Sequence, residues 1–111
     1  MYIDVYLETW SKGKGTHLFY LYTSNAADID RPEIDANRIL NELINEEKGL
    51  WKDKELWELD GAWGGVKVNK SDILYFIERV NEEAEVESCL NMDQVMCLSD
   101  NKYYALVGCE S

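Results

Sequence analysis

Two apolar periods alternate along the chain, and this alternation restricts the fold more than any other feature of the sequence. Residues 2 to 9 step in twos, with Ile3, Val5 and Leu7 on one side and Asp4, Tyr6 and Glu8 on the other, as a half-buried strand requires. The turn "SKGKG" follows, and the aromatic stretch "HLFYLYT" predicts a second strand paired back on the first. From Asp30 the period changes to that of a helix, with Ala36, Ile39, Leu40, Leu43 and Ile44 in one stripe. Asp30 and Glu33 fit a variant capping box, Pro32 falls in the first turn, and Gly49 supplies a stop after Lys48.

The second half repeats the alternation. "KELWEL" and "GGVKV" predict two short strands around "DGAWGG", and Ser71 then caps a helix running to about Ala84, with Ile73, Phe76, Ile77, Val80 and Ala84 facing inward. "VESCL", "QVMCL" and "YYALV" predict three more strands, the last two joined by a hairpin turn at "SDNK". The order ββ-α-ββ-α-βββ implies an α+β two-layer sandwich, an antiparallel or mixed sheet with two helices on one face. Residues 1–111 are expected to form a single domain, since a chain of this length can bury one core without disulfides or metals.

Charge sets the class of partner. The chain carries 22 acids against 11 bases, a net charge of −11, which disfavours nucleic acid and anionic lipid and favours a basic protein partner. The excess is localised: residues 28 to 47 hold seven acids against Arg31 and Arg38, residues 71 to 93 hold seven against Arg79, and the remainder balances. On the first helix Asp35, Glu42 and Glu46 fall within about 40° of one another beside the apolar stripe. Glu78, Glu82 and Glu85 repeat this on the second, with Tyr75 alongside. Carboxylates three or four positions apart lie about 5 to 6 Å from each other, a spacing close to that of phosphates along a strand of nucleic acid. Charge also faces outward on any amphipathic helix, and Arg38 can pair with Glu42, so a solvated surface is the competing interpretation.

Three of the four tryptophans, Trp51, Trp57 and Trp63, stand six residues apart in a segment that glycines interrupt, so each needs its own account. Trp51 follows the helix-ending glycine and is expected to fold back on the last turn. Trp57 alternates with Glu58 and is expected in the core of its strand. Trp63 sits among glycines in an expected turn, with little local shelter, and is the candidate exposed anchor.

Chemistry-bearing motifs are scarce. Cys89, Cys97 and Cys109 have no C-x-x-C spacing and lie in an apolar third of the chain, so they are expected to be buried free thiols. His17 is the sole histidine. "GAWGG" lacks the lysine and hydroxyl of a phosphate loop, G-x-S-x-G is missing, and "SKGKGTH" reads as a solvated hairpin tip. No cofactor, metal or catalytic residue is therefore expected. The start "MYIDVYLETW" has acids where a signal peptide is basic and then apolar, and no apolar run nears the roughly 18 residues of a membrane span, so a cytoplasmic location without membrane contact is expected.

In general profile, short, acidic, aromatic and without a catalytic motif, the chain resembles the small inhibitors that neutralise nucleic-acid enzymes, and this resemblance rests on composition alone. It implies a stoichiometric protein-binding inhibitor, foremost an immunity protein covering the basic active-site surface of a nuclease toxin. The same physics suits an anti-restriction or anti-CRISPR nucleic-acid mimic, since those targets also have basic grooves. An alternative of another class is a small enzyme or ligand-binding domain with a carboxylate-lined pocket, which needs carboxylates turned inward.

Overall fold

The alternation of residues 2 to 9 becomes β1 (Ile3–Thr9), with Ile3, Val5 and Leu7 buried beneath the helices. In the computed structural model, residues 2–11, 15–24, 31–59, 62–85 and 89–110 are described, with only the backbone of 58, 59 and 62–64. β2 (His17–Thr23) pairs antiparallel with β1, and Gly15 at the turn has no room for a side chain, since a Cβ there would lie 1.9 Å from the Thr9 carbonyl oxygen. β3 (Leu56–Leu59), β4 (Ala62–Val68) and β5 (Tyr104–Glu110) complete a five-stranded sheet in the order β2-β1-β5-β4-β3, with every neighbouring pair antiparallel.

α1 (Pro32–Leu43) lies against β1 and β2, and α2 (Lys70–Ala84) packs beside it and against β4. Both helices cover the same face of the sheet, giving the expected two-layer α+β architecture. Ala36, Ile39, Leu40 and Leu43 from α1 meet Ile73, Phe76, Ile77 and Val80 from α2 over Val5, Leu7, Val66, Val68 and Leu106 of the sheet. Among the described residues no helix is long and apolar enough to cross a membrane.

The helix ends differ from expectation. Asp30 lies outside the described residues; Arg31 occupies the N-cap of α1 without a side-chain cap, and Glu33 instead accepts from Arg31 Nε at 2.8 Å. α1 stops at Leu43, before Gly49, because the Asn45 side-chain oxygen accepts from the Glu47 and Lys48 amides and turns the chain out of the helix. Gly49 is still required there, since a Cβ would lie 2.2 Å from the Leu43 carbonyl oxygen. Trp51 does fold back: its amide donates to that carbonyl and its ring is buried against Phe76 and Tyr75. α2 begins at Lys70, and its cap lies two residues earlier than Ser71. Asn69 is its cap, in a reciprocal box in which Asn69 Oδ1 accepts from the Asp72 amide at 2.9 Å and Asp72 Oδ2 from the Asn69 amide at 3.1 Å.

The C-terminal third departs most. Of "VESCL", residues 86–88 lie outside the described residues, and Cys89 and Leu90 are in no strand. "QVMCL" belongs to the one-turn helix α3 (Met92–Met96) and the turn after it, entered through Asn91 in the left-handed region at φ 57°. Asn91 tolerates this conformation, and its side-chain amide donates to the Tyr20 carbonyl at 2.8 Å, anchoring α3 to the edge of β2. No hairpin forms at "SDNK", because β5 is claimed by β1 and β4 on its two edges. The element order is thus ββ-α-ββ-α-α-β.

The cap assignment is open to direct test. Asn69→Ala should lower unfolding stability by about 1 kcal/mol, while Ser71→Ala should change it by less than about 0.5 kcal/mol. Urea melts of the two variants check this; equal losses would contradict the assignment.

Candidate functional site

Because α1 and α2 lie side by side on one face, their outer sides form one surface. Arg38 joins them: its guanidinium contacts Glu42 at 2.8 Å, Asp35 at 3.4 Å and, across the helix boundary, Glu83 at 3.2 Å. Hydrogen bonding to Glu42 raises Arg38 above its usual value, so it stays charged. Arg79 is raised too, first by its hydrogen bond to the Tyr75 hydroxyl and also by the charges of Glu83 and Glu42. Glu42 of α1 is therefore felt by Arg79 of α2.

Of the residues selected from the sequence, Asp35 and Glu42 are linked to α2 through Arg38, and Tyr75 is hydrogen-bonded to Arg79. Glu42, Glu78 and Glu82 are exposed, Asp35 is half-buried, and Tyr75 is exposed on one edge while its ring approaches Trp51. Glu83 joins them, a residue the sequence reasoning passed over because only its pairing with Arg38 reveals it. Glu46 is corrected: it lies beyond the end of α1 in the turn set by Asn45, so it does not continue the helical row. Glu85 is the C-cap of α2, at φ 56° in the left-handed region. Trp63 belongs to β4 opposite Glu58, not to a turn, and its side chain lies outside the described residues.

Arg38 and Arg79 thus act on Asp35, Glu42 and Glu83, while Glu78, Glu82 and Glu85 of α2 form no ion pair among the described residues, and surplus negative charge remains. Glu42, Glu82 and Glu83 occupy the last turns of their helices, which contain no basic residue. The partial negative charge of a helix C-terminus opposes carboxylates there by about 0.3–1 kcal/mol each, so this arrangement runs against helix stability.

The opposite face of the sheet carries a second concentration of side chains. Tyr6, His17 and Tyr20 cluster in tilted and edge-on contacts with centroids 4.7 to 5.7 Å apart. Trp57 is buried here with Ala105 and Val107, in the core as expected for its strand, on the face away from the helices. Gly65 admits its indole, because a Cβ would lie 2.7 Å from Trp57 Nε1. Glu8 stands between His17 on β2 and Ala105 on β5, only 1% exposed, and its Oε1 has no partner among the described residues. Burial, reinforced by the charge of Glu8, pushes the Tyr6 hydroxyl up to about 12. The alternation of Asp4, Tyr6 and Glu8 marked this face from sequence; its cross-strand neighbours did not show.

A cavity of 510 Å³ beside α1 is lined by Asn37, Asn41 and Asn45 with Glu42 and Glu110. Its two carboxylates, Glu42 and Glu110, are exposed; of the buried ones, Glu33 pairs with Arg31, and Glu8 lies on the other side of the sheet. Among the described residues no three His, Cys, Asp or Glu side chains converge as metal ligands. The thiols divide, contrary to expectation. Cys89 is half-buried, but Cys97 caps the end of α3 and Cys109 lies near the end of β5, both exposed. No family model, curated protein or solved structure matches the chain.

Burial pushes Cys89 from 9.0 up to about 12, against a smaller opposing pull from Tyr22. The neutral thiol is the favoured folded form, so its contribution to stability is complete below pH 9.0 and is lost as pH rises toward 12. Iodoacetamide at mildly alkaline pH should therefore modify Cys97 and Cys109 first and Cys89 slowest, as followed by peptide mass mapping. Alkylation of Cys89 at the rate of Cys97 would contradict this.

Proposed function

We propose that this protein is a stoichiometric inhibitor that docks the joined acidic surface of α1 and α2 onto the basic nucleic-acid site of a protein target. A nuclease toxin, with this chain as its immunity protein, is the foremost target; restriction and CRISPR enzymes offer the same kind of groove. The observation that carries the proposal is the Arg38 bridge between Glu42 and Glu83, which ties acidic residues of α1 to an acidic residue of α2 and supports reading the two helices as one acidic surface. A partner lysine or arginine can meet several carboxylates there. Arg38 reduces repulsion among its three acidic neighbours and leaves Glu78 and Glu82, which form no ion pair among the described residues, for the partner.

Physical chemistry favours a rate effect. Exposed charges act over a Debye length of about 8 Å at physiological ionic strength, so they steer encounter and are screened by salt. The unfavourable placement of Glu82 near the C-terminus of α2 adds a second expectation, that removing its charge does not harm the fold.

The test is association kinetics with the partner recovered by pull-down from the native host. Glu78→Lys with Glu82→Lys should slow association by about tenfold or more, flatten its salt dependence and abolish competition with nucleic acid, while thermal stability stays the same or rises. Unchanged rate and salt dependence would leave the acidic array a solvated surface and sink the proposal.

A further inference from the structure

At one end of the sheet, away from the helical carboxylates, β1 and β5 run out together. Thr9 pairs with Tyr104, so the next residues outward, Trp10 and Tyr103, flank the same spot. Lys67 of β4 reaches it from the side, its ammonium 4.6 Å from the centre of the Tyr103 ring and 5.5 Å from that of Trp10. A cavity of 460 Å³ opens here, lined by Trp10, Leu18, Lys67, Lys102 and Tyr103 over Thr9 and Tyr104.

From this arrangement we infer a binding site for a small organic anion, an aromatic ring bearing one carboxylate or phosphate. Volume, walls and charge agree. The cavity falls within the roughly 300–1,000 Å³ of small-molecule sites, and its walls are aromatic and aliphatic with few polar groups. Among the described residues its charged lining consists of two lysines and no carboxylate, in a chain with twice as many acids as bases. Lys67 is already positioned by two ring faces, and its ion pair is a long contact of 4.0 Å to the exposed Glu55, so a ligand anion meets a fixed ammonium with weak competition. Tyr103 is 54% exposed and Leu18 36%, leaving apolar surface beside the lysines for a ring to cover. The Tyr104 hydroxyl accepts from the Ser99 amide at 3.1 Å, which holds the turn carrying Lys102 against the sheet.

Nothing in this site depends on the acidic helical surface, so the two proposals stand or fall separately. The probes are 2-naphthoate, its neutral isostere 2-naphthamide, and inorganic phosphate, followed by amide and indole nuclear magnetic resonance. Naphthoate should give saturable shifts at the Trp10 indole N–H and the Lys67 and Tyr103 amides. Naphthamide and phosphate should each bind at least about tenfold more weakly, the first lacking the charge and the second the ring. Lys67→Gln with Lys102→Gln should lose at least about tenfold in naphthoate affinity, and Tyr103→Leu, at a largely exposed position, should weaken it with the spectrum of the fold intact. Unsaturable or scattered shifts would overturn the inference. So would naphthamide or phosphate binding as tightly as naphthoate, or naphthoate binding unchanged by the double lysine variant.

Discussion

Among the described residues the two halves of the sheet meet only through β5. β1 and β2 form one hairpin, β3 and β4 another, and the last strand is hydrogen-bonded between them along both edges. Its alternation serves both faces: Tyr104 and Leu106 enter the core under the helices, while Ala105 and Val107 floor the aromatic face behind. The small side chain of Ala105 is what lets Trp57 lie down over Gly65, where an added Cβ would already be 2.8 Å from that of Ala105. Such a sheet cannot close until β5 joins β1, so its formation depends on contacts between strands far apart in sequence.

A sheet covered by helices on one side must manage its other side by itself. Here it does so with rings. Tyr6, His17 and Tyr20 cover one another, Trp57 covers Ala105 and Val107, and Lys67 lies over Trp10 and Tyr103. Large rings shelter much surface at little loss of rotamer freedom, and their polar edges tolerate water. Glu8 is the exception to this economy, a carboxylate buried beside His17 with one oxygen unpartnered among the described residues. A buried polar atom without a partner costs on the order of 1–3 kcal/mol, so this row is the part of the face least explained by packing alone.

What the sequence revealed follows from how local each determinant is. The stripe of α2 and its end at Ala84, the alternation of β1 and the return of Trp51 depend on near neighbours, and all were legible. Cap identity was less so: Asn69 and Ser71 are both good caps, and only the reciprocal bond with Asp72 separates them. The apolar run at 94–98 misled because a short run has no decisive period. Only Val95 of it is fully buried, and a single helical turn satisfies that need as well as a strand would. Joined surfaces were hidden altogether. Glu83 enters the acidic array through Arg38, 45 residues earlier in the chain, and Lys67 meets Trp10 and Tyr103 only because three strands bring them to one end.

The position of the acidic residues along their helices adds a constraint that net charge does not. For solubility alone, carboxylates would be better placed in first turns, where the helix dipole favours them, as it does Asp35 in α1 and Asp72 in α2. Glu42, Glu82 and Glu83 sit instead in last turns, and Glu85 follows at the cap, with no basic residue in either final turn. Arg38 offsets part of this by contacting Glu42 and Glu83 together, but an exposed ion pair contributes only about 0–1 kcal/mol, no more than the dipole term it opposes. Local stability therefore does not account for the arrangement. Departures from local consistency tend to fall at functional sites, and a basic partner would convert these same unfavourable charges into favourable contacts.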